Sequence, residues 1–185
     1  IHSIDFETGI KKGQIIWVGK ETEDAYHQML RDNAINLELC EKEGKNLKII
    51  YTPIHGTGAI PCMRALKEFG FSQTQMVEAQ QRPDSSFPTV DFPNPEEPAA
   101  LFLATEMLKE HKADVAFGTD PDTDRLGVVV RHQDDIHYLN GNQIAILMID
   151  YVLKGLKSQG QLPQNGVIIK TIVTSELQKT IADSF

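Results

Sequence analysis

The chain has 185 residues, with 18 basic and 26 acidic side chains and therefore a net charge of -8. Hydrophobic residues make up 41% and charged residues 24%, which is typical of a globular protein and excludes a disordered or membrane-embedded chain. The negative charge argues against nucleic acid or an anionic membrane as a main partner. Two cysteines, Cys40 and Cys62, form no CxxC pair, so we expect free thiols and a cytoplasmic location.

Short apolar runs alternate with helical patterns along most of the chain. Strands are predicted at residues 47–51, 75–79, 114–117, 126–131 and 167–173, with a further extended segment at 136–139. Helices are predicted at residues 21–31, 60–69, 99–111 and 143–156 and from residue 176 onward. This order predicts an α/β fold with three layers, α/β/α, around a mixed, mainly parallel sheet of four strands, followed by the beginning of a second, similar α/β domain.

The pattern divides the chain into three predicted segments. Residues 1–46 form an N-terminal linker with one helix, residues 47–135 form a compact domain, and residues 136–185 begin a second domain. The hinge between the two domains is expected at about residues 132–140, where acidic and amide side chains interrupt the apolar runs. Because the chain begins at Ile1 rather than Met, we expect it to be a piece of a longer protein.

Residues 81–98, the proline loop, contain five of the nine prolines of the chain. Proline removes a backbone donor and fixes φ, which excludes a regular helix or a central strand here. Phe87 and Phe92 lie between the prolines and offer apolar surface to bury. We therefore predict an ordered loop rather than a mobile linker.

The stretch DPDTDR at residues 120–125, the acidic loop, follows directly after a predicted buried strand. It places Asp120, Asp122 and Asp124 at alternate positions, and three carboxylates that converge would hold a hard divalent cation, Mg²⁺ or Ca²⁺. The carboxyl ends of strands are also where open α/β sheets bind ligands. A solvated acidic turn without metal is the alternative that the spacing leaves open.

Arg125 narrows the interpretation of the acidic loop. An EF-hand is excluded, because its sixth and twelfth loop positions need Gly and Glu and are here Arg125 and Arg131. A guanidinium beside a metal site is well suited to bind phosphate through two hydrogen bonds. A cation and Arg125 together would hold a phosphoryl group, which points toward phosphoryl transfer.

The motif DPDTDR resembles the metal-binding loop of the α-D-phosphohexomutases, the family of phosphoglucomutases and phosphomannomutases, whose usual form is DGDGDR. Four other stretches resemble this family in order and spacing. They are YTPIHGTG at 51–58, FPNPEEP at 92–98, LNGNQIAILMIDY at 139–151 and KTIVTSEL at 170–177.

The resemblance implies four domains around a cleft and an enzyme that moves phosphate between the C1 and C6 oxygens of a hexose. The reaction would pass through a phosphoserine and a bisphosphorylated intermediate, with a glucose or mannose phosphate as substrate. The resemblance implies that Asp120, Asp122 and Asp124 hold Mg²⁺ together with the seryl phosphate, and that Arg125 contacts phosphate.

Three motifs of the family are missing from this sequence: the TASHNP-like serine motif, the GEESG-like sugar loop and the terminal phosphate loop. We therefore expect the end of the first domain in residues 1–46, the second domain in residues 47–135 and the start of the third in residues 136–185. Such a piece would be inactive without the missing domains of the same chain. The alternative is a stand-alone regulatory module that binds Mg²⁺ or phosphate, and the sequence upstream of Ile1 would decide between them.

Three further residues are weak candidates for substrate binding. His55 lies in a glycine-containing loop, and the alternative is that it caps the next helix or packs. Lys170 and Thr171 follow the last predicted strand, where a solvated strand end is the alternative. The other histidines show no metal-ligand spacing and are predicted to lie at the surface: His2, His27, His111, His132 and His137.

Overall fold

A computed structural model of the chain describes residues 3–185. The contacts divide the chain into two compact units, of which the first ends at Ala34 and the second runs from Ile35 to Phe185. The prediction for His2 falls outside the described residues. In the part of the chain that the structure describes, no helix combines the length and the apolar character of a membrane span.

From residue 3 onward, the first unit forms two helices, α1 (Phe6–Lys11) and α2 (Lys20–Asp32). Asp5 caps α1, because its side chain accepts a hydrogen bond from the Thr8 amide at 3.0 Å. Helix α2 covers the predicted helix at residues 21–31. His27 in α2 is only 5% exposed, so its predicted surface position is wrong. A polar residue was expected to face solvent, but the helix places this one on its buried side.

The second unit contains five strands and five α-helices. The strands are β1 (Lys48–Thr52), β2 (Gln73–Met76), β3 (Val115–Thr119), β4 (Leu126–His132) and β5 (Asp135–Leu139). The helices are α3 (Leu37–Glu43), α4 (Ala59–Glu68), α5 (Phe102–Glu110), α6 (Gly141–Ser158) and α7 (Leu177–Ala182), with short 3-10 helices at Gly44–Asn46 and Glu78–Gln80.

The strands form one open, mixed sheet in the order β2-β1-β3-β4-β5. Strand β1 pairs in parallel with β2 and β3, and β4 pairs antiparallel with β3 and β5. The mixed α/β sheet is confirmed, but it has five strands and not four. Residues 135–139 add the fifth strand, because a tight turn at Gln133, with φ of 56°, returns the chain alongside β4.

Both faces of the sheet are covered, as the three-layer prediction requires. Successive side chains of a strand point to opposite faces. Ile50, Ala116 and Val129 belong to one buried cluster, which contains residues of α5. Their neighbours Ile49, Val115 and Val128 belong to the other, which Leu66 of α4 and Ile144 of α6 cover. Complete burial of a side chain such as Ile49 stabilises the fold by about 1.5–3 kcal/mol.

The predicted strand at residues 167–173 is not formed. The segment is irregular, and Val167, Ile169 and Ile172 are 79%, 91% and 96% exposed. A strand needs a neighbour for its backbone hydrogen bonds, and no strand among residues 3–185 pairs with this segment. Helix α6 precedes it and begins with a capping box, in which Asn140 and Gln143 exchange hydrogen bonds of 2.9 and 3.0 Å.

Candidate metal site

Two loops meet at the carboxyl edge of the sheet. Strands β1 and β3 are parallel neighbours, with Thr52 opposite Gly118, so the loops that follow them lie side by side. The first is the β1–α4 loop, residues 53–58, and the second is the acidic loop, residues 120–125. This edge is where open α/β sheets place their ligands.

The acidic loop brings its three carboxylates together. One carboxylate oxygen each of Asp120, Asp122 and Asp124 lies within 4.8 Å of the others. Asp120 is 7% exposed and anchors the loop, because its Oδ1 accepts from the Arg125 amide at 3.0 Å and its carbonyl accepts from the Thr123 amide at 3.0 Å. Asp122 and Asp124 are exposed, so the cluster opens to solvent on their side.

The crowding of the carboxylates perturbs the pKa of Asp124. The hydrogen bond with Asp120 raises the pKa of Asp124 above its ordinary value, and the negative charges of Asp122 and Asp120 add to this effect. Arg125 opposes it, with its Nε atom 3.6 Å from Asp120 Oδ2 and 3.9 Å from Asp124 Oδ1. One guanidinium balances only one of three negative charges, so the loop retains charge that a divalent cation would neutralise.

The donor set of the acidic loop fits a hard cation. Asp120, Asp122 and Asp124 offer oxygen atoms only, which Mg²⁺ and Ca²⁺ prefer over softer metals. Three protein ligands leave coordination positions for water or for a phosphate oxygen on the solvent side. The side chain of Arg125 is 55% exposed, so its guanidinium is accessible from that side.

His55 lies in a buried network of hydrogen bonds rather than in open solvent. It is 5% exposed, and its Nε2 lies 2.9 Å from the Thr89 hydroxyl. The Gln80 side-chain amide donates to the same hydroxyl at 2.9 Å, and the Asp84 amide donates to the His55 carbonyl at 3.0 Å. Thr89 and Asp84 both belong to the proline loop. These contacts favour the packing interpretation, in which His55 ties the proline loop to the end of β1, and a contact of His55 with substrate stays a prediction.

The residues that pack the proline loop against the core differ from those that the sequence indicated. Pro95 is fully buried, and Val90 packs against the core cluster that contains Leu101. Phe92 was expected to be buried but is 63% exposed, and Phe87 is half-buried. The ring of Pro95 and the Val90 side chain supply the apolar packing of this loop, whereas Phe92 stays largely in solvent.

Lys170 and Thr171 lie in the irregular segment that precedes α7. The Lys170 ammonium is 2.7 Å from a Glu176 carboxylate oxygen and also donates to the carbonyls of Thr171 and Thr174 at 3.3 Å. The contacts of Lys170 therefore fall within its own segment. Thr171 is exposed.

Sequence reasoning missed two residues at the edge of the sheet. The Tyr51 hydroxyl lies 2.9 Å from the Thr119 hydroxyl, directly below the acidic loop. Thr57 donates two hydrogen bonds to the carbonyl of Pro121 inside that loop. The stretch YTPIHGTG could have indicated both residues, because its polar side chains lie at the end of β1 and in the loop that follows it.

These features define an open α/β domain with a candidate divalent-metal loop and an adjacent arginine at its ligand-binding edge. The family model described as phosphoglucomutase/phosphomannomutase, alpha/beta/alpha domain II, matches residues 24–133. The chain belongs to this phosphoglucomutase/phosphomannomutase family.

Individual relatives agree with the family match. A phosphoglucomutase of Staphylococcus saprophyticus is 32% identical over 181 residues, which are 97% of this chain and 31% of that protein. A phosphoglucomutase of Staphylococcus aureus strain MRSA252 is 38% identical over 138 residues, which are 74% of this chain and 24% of that protein. The chain therefore spans about a quarter to a third of the length of these relatives.

A solved structure shows the same fold. A Thermus thermophilus protein assigned as a phosphomannomutase superposes with a TM-score of 0.64 at 20% sequence identity. The superposition covers 87% of this chain and 33% of that protein. At this identity the likeness concerns the fold alone.

Proposed function

We propose that the chain is part of a Mg²⁺-dependent phosphohexomutase that interconverts hexose 1-phosphate and hexose 6-phosphate. The reaction would pass through a phosphoserine and a bisphosphorylated sugar. The observation that carries the proposal is the convergence of Asp120, Asp122 and Asp124, whose carboxylate oxygens lie within 4.8 Å of one another at the carboxyl edge of the sheet. Family membership supports the reaction type.

Each residue of the acidic loop has a role in this proposal. Asp120, Asp122 and Asp124 would hold Mg²⁺, and the bound ion would neutralise the charge of a transferring phosphoryl group. Arg125, whose side chain is 55% exposed, would donate to phosphate oxygens from the exposed side of the cluster. Asp120 would also fix the backbone conformation of the loop, because its carboxylate accepts a hydrogen bond from the Arg125 amide.

The remaining functions of the enzyme would lie on other domains. The sequence contains no TASHNP-like serine motif and no GEESG-like sugar loop, so the phosphoryl donor and the sugar contacts would come from elsewhere in the full protein. We propose that residues 1–46 are the end of a first domain. Because β5 pairs with β4 in the same sheet, we also propose that the second domain extends through β5 rather than ending at residue 135. The third would begin at Asn140, where the capping box starts α6.

We retain two further predictions as parts of this proposal. The substrate would be a hexose phosphate of the glucose or mannose type. The location would be the cytoplasm, which rests on the two cysteines, Cys40 and Cys62, being free thiols.

Titration of the chain with Mg²⁺ tests the metal site directly. We expect saturable but weak binding, because no seryl phosphate accompanies the three carboxylates, and backbone amide shifts concentrated at residues 118–127. Calorimetry and heteronuclear NMR would measure both, with Ca²⁺ as a second hard ion. Shifts that avoid residues 118–127, or no binding at all, would refute the proposed site. Tight phosphate binding with no metal dependence would instead favour a phosphate-binding module.

A further inference from the structure

The β1–α4 loop contacts the acidic loop through its backbone. The amide and the hydroxyl of Thr57 both donate to the carbonyl oxygen of Pro121, at 2.9 and 3.1 Å. This carbonyl belongs to the peptide group that links Pro121 to Asp122. Its orientation therefore sets the direction in which the chain leaves Asp120 and enters Asp122.

Gly56 allows this approach because it has no side chain. A Cβ atom on Gly56 would lie 2.4 Å from Pro121 Cα and 2.6 Å from Pro121 O, and both of these atoms belong to the backbone. At Gly58 a Cβ would lie 2.4 Å from the Tyr51 hydroxyl and 3.0 Å from the Thr123 hydroxyl. The two loops are thus in direct contact at both glycines.

The β1–α4 loop is itself held firmly enough to position a neighbour. Ile54 and His55 have left-handed backbone conformations, with φ of 45° and 59°. Such conformations in non-glycine residues persist only where surrounding contacts impose them. Here the Ile54 amide donates to the Thr52 hydroxyl at 3.1 Å, and the His55 amide donates to the Gln80 carbonyl at 3.0 Å. Thr52 and Gln80 are both fully buried.

We propose that Thr57 is a positioning residue for the metal site, with Gly56 providing the space that it needs. Three carboxylates in one short loop repel one another, and an unsupported loop would move them apart. Through the Pro121 carbonyl, Thr57 holds Asp122 close to Asp120 before a cation arrives. This inference rests on the proposed metal function of the acidic loop.

Substitutions at Thr57 separate the hydroxyl from the shape of the side chain. Thr57→Val removes the hydroxyl donor but keeps the branched shape and the amide, whereas Thr57→Ser keeps the donor. Because Thr57 is exposed, water competes for the Pro121 carbonyl, so we expect a loss of Mg²⁺ affinity of about 5-fold in Thr57→Val. Thr57→Ser should bind Mg²⁺ within about 2-fold of the parent chain.

A matched pair of glycine substitutions tests the contact between the loops. Gly56→Ala should weaken Mg²⁺ binding more than Thr57→Val does, because it forces the two backbones apart. Gly141→Ala is the control, since the nearest atom to its Cβ would be Glu96 Oε1 at 3.8 Å, an ordinary contact. We expect Gly141→Ala to bind Mg²⁺ as the parent chain does.

The metal-free chain provides a second measurement, which separates this inference from the metal function itself. In Thr57→Val the heteronuclear NOE values of the Asp122 and Thr123 amides should fall, and in Thr57→Ser they should not. Unchanged values in Thr57→Val, or unchanged Mg²⁺ affinity in a parent chain that binds Mg²⁺, would overturn the positioning role. If the parent chain binds no Mg²⁺ while Thr57→Val still loosens the acidic loop, the proposed function fails and the role of Thr57 in ordering the loop stands.

Discussion

The hydroxyl groups of Tyr51 and Thr119 lie 2.9 Å apart and join the ends of β1 and β3 beneath the acidic loop. Burial raises the pKa of Tyr51 above its ordinary value, and a hydrogen bond with the Cys62 side chain adds to this effect, so the phenol stays protonated. A neutral pair of buried hydroxyl groups therefore supports the loop that carries the three carboxylates.

Removal of the Tyr51 hydroxyl should destabilise the fold. In Tyr51→Phe the buried Thr119 hydroxyl loses its partner, and we expect a decrease of about 1–2 kcal/mol in the free energy of unfolding, measured by urea denaturation. Tyr26→Phe is the control, because Tyr26 is 54% exposed, and its effect should be below about 0.5 kcal/mol. Equal stability of Tyr51→Phe and the parent chain would show that the hydrogen bond between Tyr51 and Thr119 contributes nothing to the free energy of unfolding.

Neutral replacements in the acidic loop should separate metal binding from folding. Asp122→Asn and Asp124→Asn each remove one of three negative charges, so Mg²⁺ affinity should fall at least about 10-fold in a calorimetric titration. Without metal, both variants should be as stable as the parent chain or more stable, because repulsion among the carboxylates decreases. Asp91→Asn, at an exposed position of the proline loop, should change neither quantity. Full Mg²⁺ affinity in both loop variants would contradict the assignment of the ligands.

The pKa of Asp84 should depend on Ser86. The Ser86 hydroxyl donates to Asp84 Oδ1 at 2.7 Å and the Ser86 amide donates at 2.9 Å, and together they lower the pKa of Asp84 below its ordinary value of 3.8. The folded pKa lies below the unfolded one, so the contribution to stability is present above pH 3.8 and is lost as the pH falls through the folded pKa. Ser86→Ala should raise the Asp84 pKa toward 3.8 in a carboxyl ¹³C titration. The exposed neighbour Ser85 is the control, and an Asp84 pKa that responds equally to Ser85→Ala would argue against a specific bond.

The chain by itself should not interconvert glucose 1-phosphate and glucose 6-phosphate. The acidic loop stabilises charge, but phosphoryl transfer also needs a donor and a sugar held in line with it, and positioning of this kind is worth several kcal/mol of the barrier. A coupled assay with Mg²⁺ and a trace of the bisphosphate would measure turnover. Activity of the 185 residues alone would show that the missing serine motif is not required.

The exposed apolar segment at residues 167–173 should be the first site of proteolysis. Thermolysin cuts before apolar residues in accessible, irregular backbone, and Ile169 and Ile172 are 91% and 96% exposed. In contrast, Ile49 and Ile50 of β1 are 1% exposed and hydrogen-bonded within the sheet. Mass spectrometry of the early fragments would locate the cuts. An early cut within residues 47–69 would contradict the stability that the sheet implies.

The sequence alone was enough to predict the central elements and the acidic loop. The apolar runs at β1, β3 and β4 can be recognised from the local sequence, because a buried strand needs apolar side chains whichever elements pack against it. The helices α4, α5 and α6 follow from local periodicity in the same way. The three aspartates could be recognised because carboxylates separated by one residue can converge within a single loop.

Pairing and burial were decided by the tertiary structure, because they depend on residues distant in the chain. Residues 135–139 became a strand since β4 offered them a free edge, whereas the more apolar residues 167–173 stayed irregular without a neighbour. His55 looked equally suited to binding and to packing, and only the structure shows its contact with Thr89, which favours packing. The bonds from Thr57 to Pro121 join residues that are 64 positions apart. No local pattern contains such a contact, since it forms only when the parallel pairing of β1 and β3 brings their two loops to the same edge of the sheet.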